Sequence, residues 1–221
     1  MKFENTQVFG FENAIIGARL PMCKNFEDAK SKCDSDFQNN VIGENDLSLL
    51  KRLIKADDVE SGYGTPNSKF LQMIEVWVSI EAPLAFWKEA DTYRHAVKNS
   101  TSTMHRIQSY PIDDSCFEKK PNGKISKLIH LDELEKARQL YNETKDKDVW
   151  YDLIYGLGDS WLQTRMFHCN YATLRNMAFW RRNHKQNSWS GKDNPQMKNF
   201  IDWARSLPYV QELIFIDEVE E

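Results

Sequence analysis

The sequence has no long apolar run and no excess of positive charge, and each absence excludes a class of protein. No window reaches the roughly 18 consecutive apolar residues that a membrane-spanning helix requires. The formal net charge of −4 provides no general basic field for nucleic acid. Residues 1–20 also lack the basic-then-apolar build of a secretory signal. We therefore expect a cytoplasmic protein with no membrane partner.

Cysteine and histidine are too scattered to predict a metal site. The four cysteines form no CxxC pair, and the five histidines show no HExxH spacing. Structural and catalytic zinc sites use these residue types at short, defined spacings. The sequence therefore predicts free thiols in a reducing compartment and no bound metal.

The sequence does contain enough large apolar side chains to build a sizeable core. Apolar residues make up 41% of the 221 positions, with seven tryptophans and twelve phenylalanines. Burial of such side chains is the main driving force of folding. This length suits one domain or two small ones.

The periodic patterns predict strands early in the chain and helices later. Residues 3–10 alternate weakly, and residues 70–80 alternate clearly and are rich in Val, Ile and Trp, so both are predicted strands. Asp46 is a predicted N-cap and Pro83 a predicted first-turn residue. The predicted helices cover residues 14–20, 46–57, 83–98, 131–144, 148–168 and 171–183, with two short ones inside 195–216. This order favours an α+β fold class.

The polar stretch that follows Pro83 is the first candidate binding site. The predicted helix brings Asp91, Arg94 and His95 close to one face, and a run of hydroxyl and amide residues ending in His105 and Arg106 comes directly after it. Hydroxyl groups, guanidinium groups and free backbone N–H groups together bind phosphate well. Two plainer interpretations stay open, namely a surface face with a local Asp91–His95 pair and a polar loop with a capping role.

The second candidate site is the segment from Asn170 to Lys185. On the predicted helix, Asn170 and Arg181 lie at the two ends of an apolar stripe. A polar group on a buried face needs a partner, and a ligand is one candidate. The basic cluster at 181–185, with Trp180 and Trp189, leaves open a nucleic-acid-binding module, although the acidic balance of the chain argues against nucleic acid as a partner.

These two segments resemble the flavin-dependent thymidylate synthases, the ThyX family. The signature of that family is Arg-His-Arg, then seven residues, then Ser. Here the sequence reads Thr92-Tyr93-Arg94, then seven residues, then Ser102, so the last Arg and the Ser match. Ala82-Pro83 precedes the signature at the distance that the family shows.

Three further segments carry the same resemblance. Gly64-Thr65-Pro66 is similar to the family's His-x-Thr-Pro flavin loop without its His, and Ala18-Arg19 is similar to a family Ala-Arg pair. Asn170, Asn176 and Arg181 have the spacing of two flavin-contacting Asn residues and a nucleotide-binding Arg. The resemblance leaves gaps around residues 107–165 and 186–200.

The resemblance implies a fold, an assembly and a reaction. It implies a single ThyX-like domain over residues 1–221, of the α+β class, with an antiparallel sheet flanked by helices. It also implies a homotetramer with flavin and nucleotide sites between subunits. The implied reaction methylates C5 of dUMP or of a related pyrimidine nucleotide, with FAD as cofactor and with methylenetetrahydrofolate and NADPH as partners.

The resemblance also assigns binding roles to single residues, and it assigns a catalytic role to no residue. The flavin contacts would come from Thr65, Arg94, Asn170 and Asn176. The nucleotide contacts would come from Ser102 and Arg181, with Arg106 in place of one missing Arg and Glu89 where the family usually has a Gln. Each missing Arg removes a charge-assisted contact of about 1.5–3 kcal/mol. A non-catalytic nucleotide-binding protein on the same fold is therefore an alternative, as is a related substrate.

Overall fold

The computed structural model describes residues 1–57 and 66–218, and within those ranges it contains a four-stranded antiparallel sheet. The strand order is β1-β2-β4-β3. The strands are β1 (Lys2–Phe9), β2 (Glu75–Pro83), β3 (Val97–Ser100) and β4 (Leu162–Asn170). The predicted α+β class, an antiparallel sheet flanked by helices, is confirmed. The assignment of residues 1–221 to a single domain stays a prediction.

Eleven α-helical segments lie in the described ranges. They are α1 (Phe11–Arg19), α2 (Phe26–Ser31), α3 (Glu44–Lys55), α4 (Leu84–Ala90), α5 (Thr103–Arg106), α6 (Leu131–Thr144), α7 (Lys147–Tyr155), α8 (Tyr171–Arg181), α9 (Asn187–Ser190), α10 (Phe200–Arg205) and α11 (Val210–Leu213). The structure confirms helices at five predicted places, namely 14–20, 46–57, 131–144, 171–183 and the pair inside 195–216. None of the helices described is long and apolar enough to cross a membrane.

Strand β2 shows why the sheet has one buried face. Its residues alternate between buried and half-buried, because successive side chains of a strand point to opposite faces. The buried members are Val76, Val78, Ile80 and Ala82. They pack in the main core with α4 and α8, so these two helices lie on the buried face of the sheet.

The helix predicted over residues 83–98 is wrong beyond Ala90. The chain turns at residues 91–96 and then forms β3, which pairs with β4 along the whole of its length. Pro83 is the last residue of β2 and the N-cap of α4, not a first-turn residue. Strand pairing has overridden a weak helical periodicity here. Arg94 and His95 therefore lie in a turn and do not share a helical face with Asp91.

The helix predicted over residues 148–168 is wrong in its second half. Helix α7 ends at Tyr155 with Gly156 as its C-cap, and the chain then enters β4. Strand β4 is an inner strand that pairs with both β2 and β3. Its alternation is visible only near its end, where Phe167 and Cys169 are buried, so the sequence signal for a strand was weak.

The predicted N-cap role of Asp46 is wrong. Gly43 precedes α3 as its N-cap, and Asp46 lies inside the helix with its side chain completely buried. Its carboxylate is paired with Arg19 and accepts the backbone N–H groups of Asp34 and Ser35 at 3.0 and 3.1 Å. A buried carboxylate requires such donors, so Asp46 joins α1 to the start of α3.

The strand predicted over residues 70–80 begins later than expected, because residues Lys69–Met73 form a 3₁₀ helix.

Residues 107–161 form a second, smaller core of their own. Its buried members are Ile107, Ile112, Phe117, Leu134 and Leu153.

Candidate functional site

The turn between α4 and β3 faces α8 across a cavity of about 330 Å³. Four consecutive residues of the turn and two residues of α8 line it, namely Thr92, Tyr93, Arg94, His95, Thr173 and Asn176. Small-molecule sites in proteins start at about this volume. The cavity joins the two segments that the sequence marked separately as candidate sites.

Arg94 and Asn176 are the two side chains of this cavity that are ready to bind. Neither makes a hydrogen bond or an ion pair with any residue in the described part of the chain. Arg94 is exposed and Asn176 is half-buried. The cavity thus offers one guanidinium group and one amide group from opposite walls. Such a donor set suits an anionic ligand that is rich in hydrogen-bond acceptors.

Asn170 has a structural role beside the cavity. It is the N-cap of α8, and its side-chain oxygen accepts the backbone N–H of Thr173 at 3.0 Å. The Thr173 hydroxyl lies 3.1 Å from the same oxygen and 3.4 Å from the backbone oxygen of His95. Asn170 therefore orients Thr173, which in turn connects α8 to the opposite wall of the cavity.

Glu89 and Arg181, both predicted to contact the nucleotide, contact each other. Nη1 of Arg181 donates to Oε2 of Glu89 at 2.8 Å, and Nε of Arg181 donates to the Tyr93 hydroxyl at 2.9 Å. The Arg181 side chain is only 19% exposed. Its charge is already balanced inside the chain, so an anion that binds Arg181 has to compete with Glu89.

His184 completes this cluster. Its Nδ1 accepts the backbone N–H of Gln186 at 3.2 Å, so the proton of the neutral ring is on Nε2. Nε2 lies 3.3 Å from Oε2 of Glu89. Burial lowers the pKa of His184 below its usual value, and Arg181 and Lys185 add to this effect against the opposing pull of Glu89.

An aromatic surface holds the Arg181 guanidinium group in place. The group lies 5.1 Å from the ring centre of Trp189 and 5.7 Å from that of Tyr93. Trp189 is completely buried and packs against Phe86 and Phe200 at centroid distances of 4.3 and 5.1 Å. Cation–π contacts of this kind hold Arg181 on the edge of the main core.

Ser102 and Arg106 lie apart from the cavity and from Arg181. Ser102 is the N-cap of α5 and accepts the backbone N–H of His105 at 3.2 Å. Arg106 donates to the Tyr110 hydroxyl and lies 5.4 Å from the centre of that ring. Within residues 1–57 and 66–218, the side-chain contacts of Ser102 and Arg106 stay inside residues 102–110. Thr65, the remaining predicted flavin contact, lies outside the described residues.

The basic cluster that left a nucleic-acid-binding module open is largely neutralised. Arg181 is paired with Glu89, and Arg182 lies 3.3 Å from Glu218. Trp189 is buried in the core, whereas Trp180 is 64% exposed. The geometry therefore does not favour a stacking platform for bases. Across the described ranges, no group of His, Cys, Asp and Glu side chains is placed to hold a metal ion.

Three further residues of the site have recognisable signals in the sequence, although none of them was among the predicted contacts. Tyr93 was noted only as a departure from the family signature, yet its hydroxyl receives Arg181. His184 lies three residues after Arg181, where the end of α8 brings the two side chains together. Thr173 follows Asn170 by three residues, a common spacing for an N-cap and the backbone N–H that it accepts.

No protein-family model matches the sequence, and no curated protein sequence matches it. The fold of the chain is that of the flavin-dependent thymidylate synthases. Two similar crystal structures show the ThyX enzyme of Helicobacter pylori with FAD and dUMP. Each is 17% identical to this chain. The first has a TM-score of 0.65, and the match covers 98% of this chain and 99% of that one. The second has a TM-score of 0.63, and the match covers the whole of both chains, 100% of each.

A third similar structure is the UMP/dUMP methylase PolB of Streptomyces cacaoi bound with 5-Br dUMP. It is 15% identical, its TM-score is 0.54, and coverage is 97% of this chain and 94% of that one. At such identities the likeness concerns the fold. The resemblance to ThyX found in the sequence is confirmed at that level, and it extends over the segments at 107–165 and 186–200 that the sequence could not align.

Proposed function

We propose that the chain is a divergent, flavin-dependent member of the ThyX family that methylates C5 of dUMP or of a related pyrimidine nucleotide. FAD is the cofactor, methylenetetrahydrofolate the carbon donor and NADPH the reductant. The observation that carries the proposal is the cavity in which Arg94 and Asn176 have no protein partner among the described residues. Both occupy positions that the resemblance assigns to flavin. The whole-length likeness to structures with FAD and dUMP supports the same ligands.

The side chains of the cavity fit part of a flavin dinucleotide. Arg94 offers a cation to a phosphate group, and Asn176 offers an amide to the acceptor atoms of a ring or a ribose. Asn170 acts on this site through Thr173 rather than through a free side chain. When bound, FAD supplies the electrons that reduce the transferred one-carbon group to a methyl group. Thr65 stays a proposed flavin contact.

The nucleotide contacts require more than one copy of the chain. Ser102 and Arg106 make their contacts inside residues 102–110, away from the cavity. We therefore propose a cytoplasmic homotetramer in which Ser102 and Arg106 of one copy contact the nucleotide bound beside Glu89 and Arg181 of another copy. Size-exclusion chromatography with light scattering measures this assembly directly, and a monomer with or without ligand would contradict it.

The absorbance spectrum of the purified protein, with and without added FAD, tests the central proposal. We expect the bands of oxidised flavin to remain with the protein after gel filtration. The Arg94→Ala variant loses one charge-assisted contact of about 1.5–3 kcal/mol, so its affinity for FAD falls by about tenfold to a hundredfold. Arg52→Ala, a control at an exposed position of α3, leaves the affinity unchanged. Protein that takes up no FAD under any condition rules the proposal out.

A non-catalytic nucleotide-binding protein on the same fold is the second candidate. The observation that favours it is the Glu89–Arg181 ion pair, which occupies a predicted nucleotide contact. Thr92 and Tyr93 also replace the Arg and His of the family signature. Binding of dUMP without NADPH oxidation and without methyl transfer from methylenetetrahydrofolate would select this candidate.

A further inference from the structure

The two carboxylate oxygens of Glu89 have different surroundings. Oε2 accepts a hydrogen bond from Nη1 of Arg181 at 2.8 Å and lies 3.3 Å from Nε2 of His184. Oε1 accepts no hydrogen bond from any residue in ranges 1–57 and 66–218, and the Glu89 side chain is 34% exposed. One oxygen is therefore held by Arg181 beside His184, while the other is open to a ligand.

Arg181 and His184 hold one side of the carboxylate. Nε of Arg181 donates to the Tyr93 hydroxyl, and the guanidinium group lies on the ring of Trp189. Nδ1 of His184 accepts a backbone N–H group, and its Nε2 lies beside Oε2 of Glu89. Oε1 takes part in none of these contacts. Tyr93 belongs both to this cluster and to the lining of the 330 Å³ cavity, so the cluster that holds Glu89 borders the candidate site.

We propose that Glu89 is a specificity-determining residue, and that its Oε1 accepts a hydrogen bond from an N–H or O–H group of the bound nucleotide. The inference rests on the proposed function, because it names the substrate class of the same site. A phosphate or carbonyl oxygen placed against Oε1 is repelled, since both are acceptors and the carboxylate carries a negative charge. Hydroxyl groups of the ribose and N–H groups of the base are the pyrimidine nucleotide donors that fit.

The isosteric substitution Glu89→Gln should reverse this preference. The amide oxygen has to face Arg181, because an amide NH₂ group cannot accept the hydrogen bond that Arg181 donates. The NH₂ group then occupies the position of Oε1. A ligand-facing acceptor becomes a donor, while the size of the side chain stays the same.

The experiment measures the dissociation constants of four matched pairs of nucleotides in the FAD-loaded protein by calorimetry. Each pair differs in one donor group: UMP and dUMP in the 2′ hydroxyl, dUMP and its 2′,3′-dideoxy form in the 3′ hydroxyl, dUMP and N3-methyl-dUMP in the base N–H, and dCMP and its N4,N4-dimethyl form in the exocyclic amine. In the wild-type protein, we expect one pair to favour its donor-bearing member by about tenfold or more. The pair that does so identifies the source of the donor.

The variants assign that preference to Glu89. Glu89→Gln should remove or reverse it, Glu89→Ala should remove it without reversal, and Glu12→Gln should leave it intact. Glu12 is a matched control because it also pairs with a cation, Lys30, at 3.0 Å, on the surface of α1. The wild-type ranking tests the proposal even if a variant fails to fold.

Two results overturn the inference alone. Either all four pairs bind equally well to the wild-type protein, or the preference is the same in Glu89→Gln, while FAD and nucleotide binding persist. A protein that binds neither FAD nor any nucleotide overturns the proposed function and this inference together. The two failures are therefore distinguishable in one set of titrations.

Discussion

Two arginines of the candidate site, Arg94 and Arg181, show how differently one fold can hold the same side chain. Arg94 lies exposed in the turn between α4 and β3 and has no partner among the described residues. Arg181 ends α8, pairs with Glu89, donates to Tyr93 and lies on Trp189. Arg94 is available to a ligand at no structural cost, whereas the availability of Arg181 depends on the groups that already hold it.

The contrast separates a site residue that only serves ligands, Arg94, from one that also supports the folded core, Arg181. A substitution at Arg94 affects ligands, while a substitution near Arg181 affects stability first. The three predictions below test this contrast, from the largest expected effect to the smallest.

Trp189→Ala should have the largest effect, because it removes the support beneath Arg181. Trp189 is completely buried against Phe86 and Phe200, and loss of such a side chain costs about 3–5 kcal/mol of unfolding free energy. Trp180→Ala is the matched control: Trp180 is 64% exposed, so its loss should change the unfolding free energy by less than about 0.5 kcal/mol. Urea denaturation of both variants checks this, and equal effects would contradict the assignment of Trp189 to the core.

Arg181→Ala should come next, at about 1–3 kcal/mol of unfolding free energy. It removes a charge-assisted hydrogen bond and leaves the Glu89 carboxylate with only His184 beside it, at 3.3 Å. Arg94→Ala should lower the unfolding free energy by less than about 0.5 kcal/mol, since no hydrogen bond or ion pair with the described residues is lost. The two variants are compared by denaturation without ligand. A stable Arg181→Ala protein beside a destabilised Arg94→Ala protein would reverse the comparison.

Among the substitutions that remove a structural contact, Asn170→Ala should have the smallest effect, about 1 kcal/mol, from the loss of the α8 N-cap. Asn170→Asp keeps an oxygen that accepts the backbone N–H of Thr173, so it should restore most of the stability. If Asn170 acts on the flavin only through Thr173, Asn170→Asp restores FAD affinity as well. Restored stability without restored affinity would indicate a direct contact between Asn170 and the cofactor.

Much of the fold could be predicted from the sequence where local patterns were strong. The helix over 131–144 coincides with α6, because its apolar positions recur at helical spacing and it ends before a left-handed Lys145. The errors lie where long-range pairing decides the structure. Parts of β3 and β4 fall inside helices that the sequence predicts, and the pairing of β4 with β2 and β3 makes them strands instead.

The candidate site was predictable in its members but not in its contacts. The sequence placed Arg94 and Asn176 on different segments, and the fold brings both to one cavity. It also marked Glu89 as out of place beside a nucleotide. That Arg181 is the partner of Glu89 could not be read from the sequence, because 92 residues separate the two and only the tertiary fold brings them together.

The junction between β4 and α8 has a mechanical consequence. Asn170 is the last residue of the strand and the N-cap of the helix, so no loop separates the two elements. Strand β4 pairs with a neighbouring strand on each edge, so the start of α8 is attached directly to an inner strand of the sheet. We therefore expect the wall of the cavity that carries Asn176 to shift less on ligand binding than the opposite wall, the turn at residues 91–96.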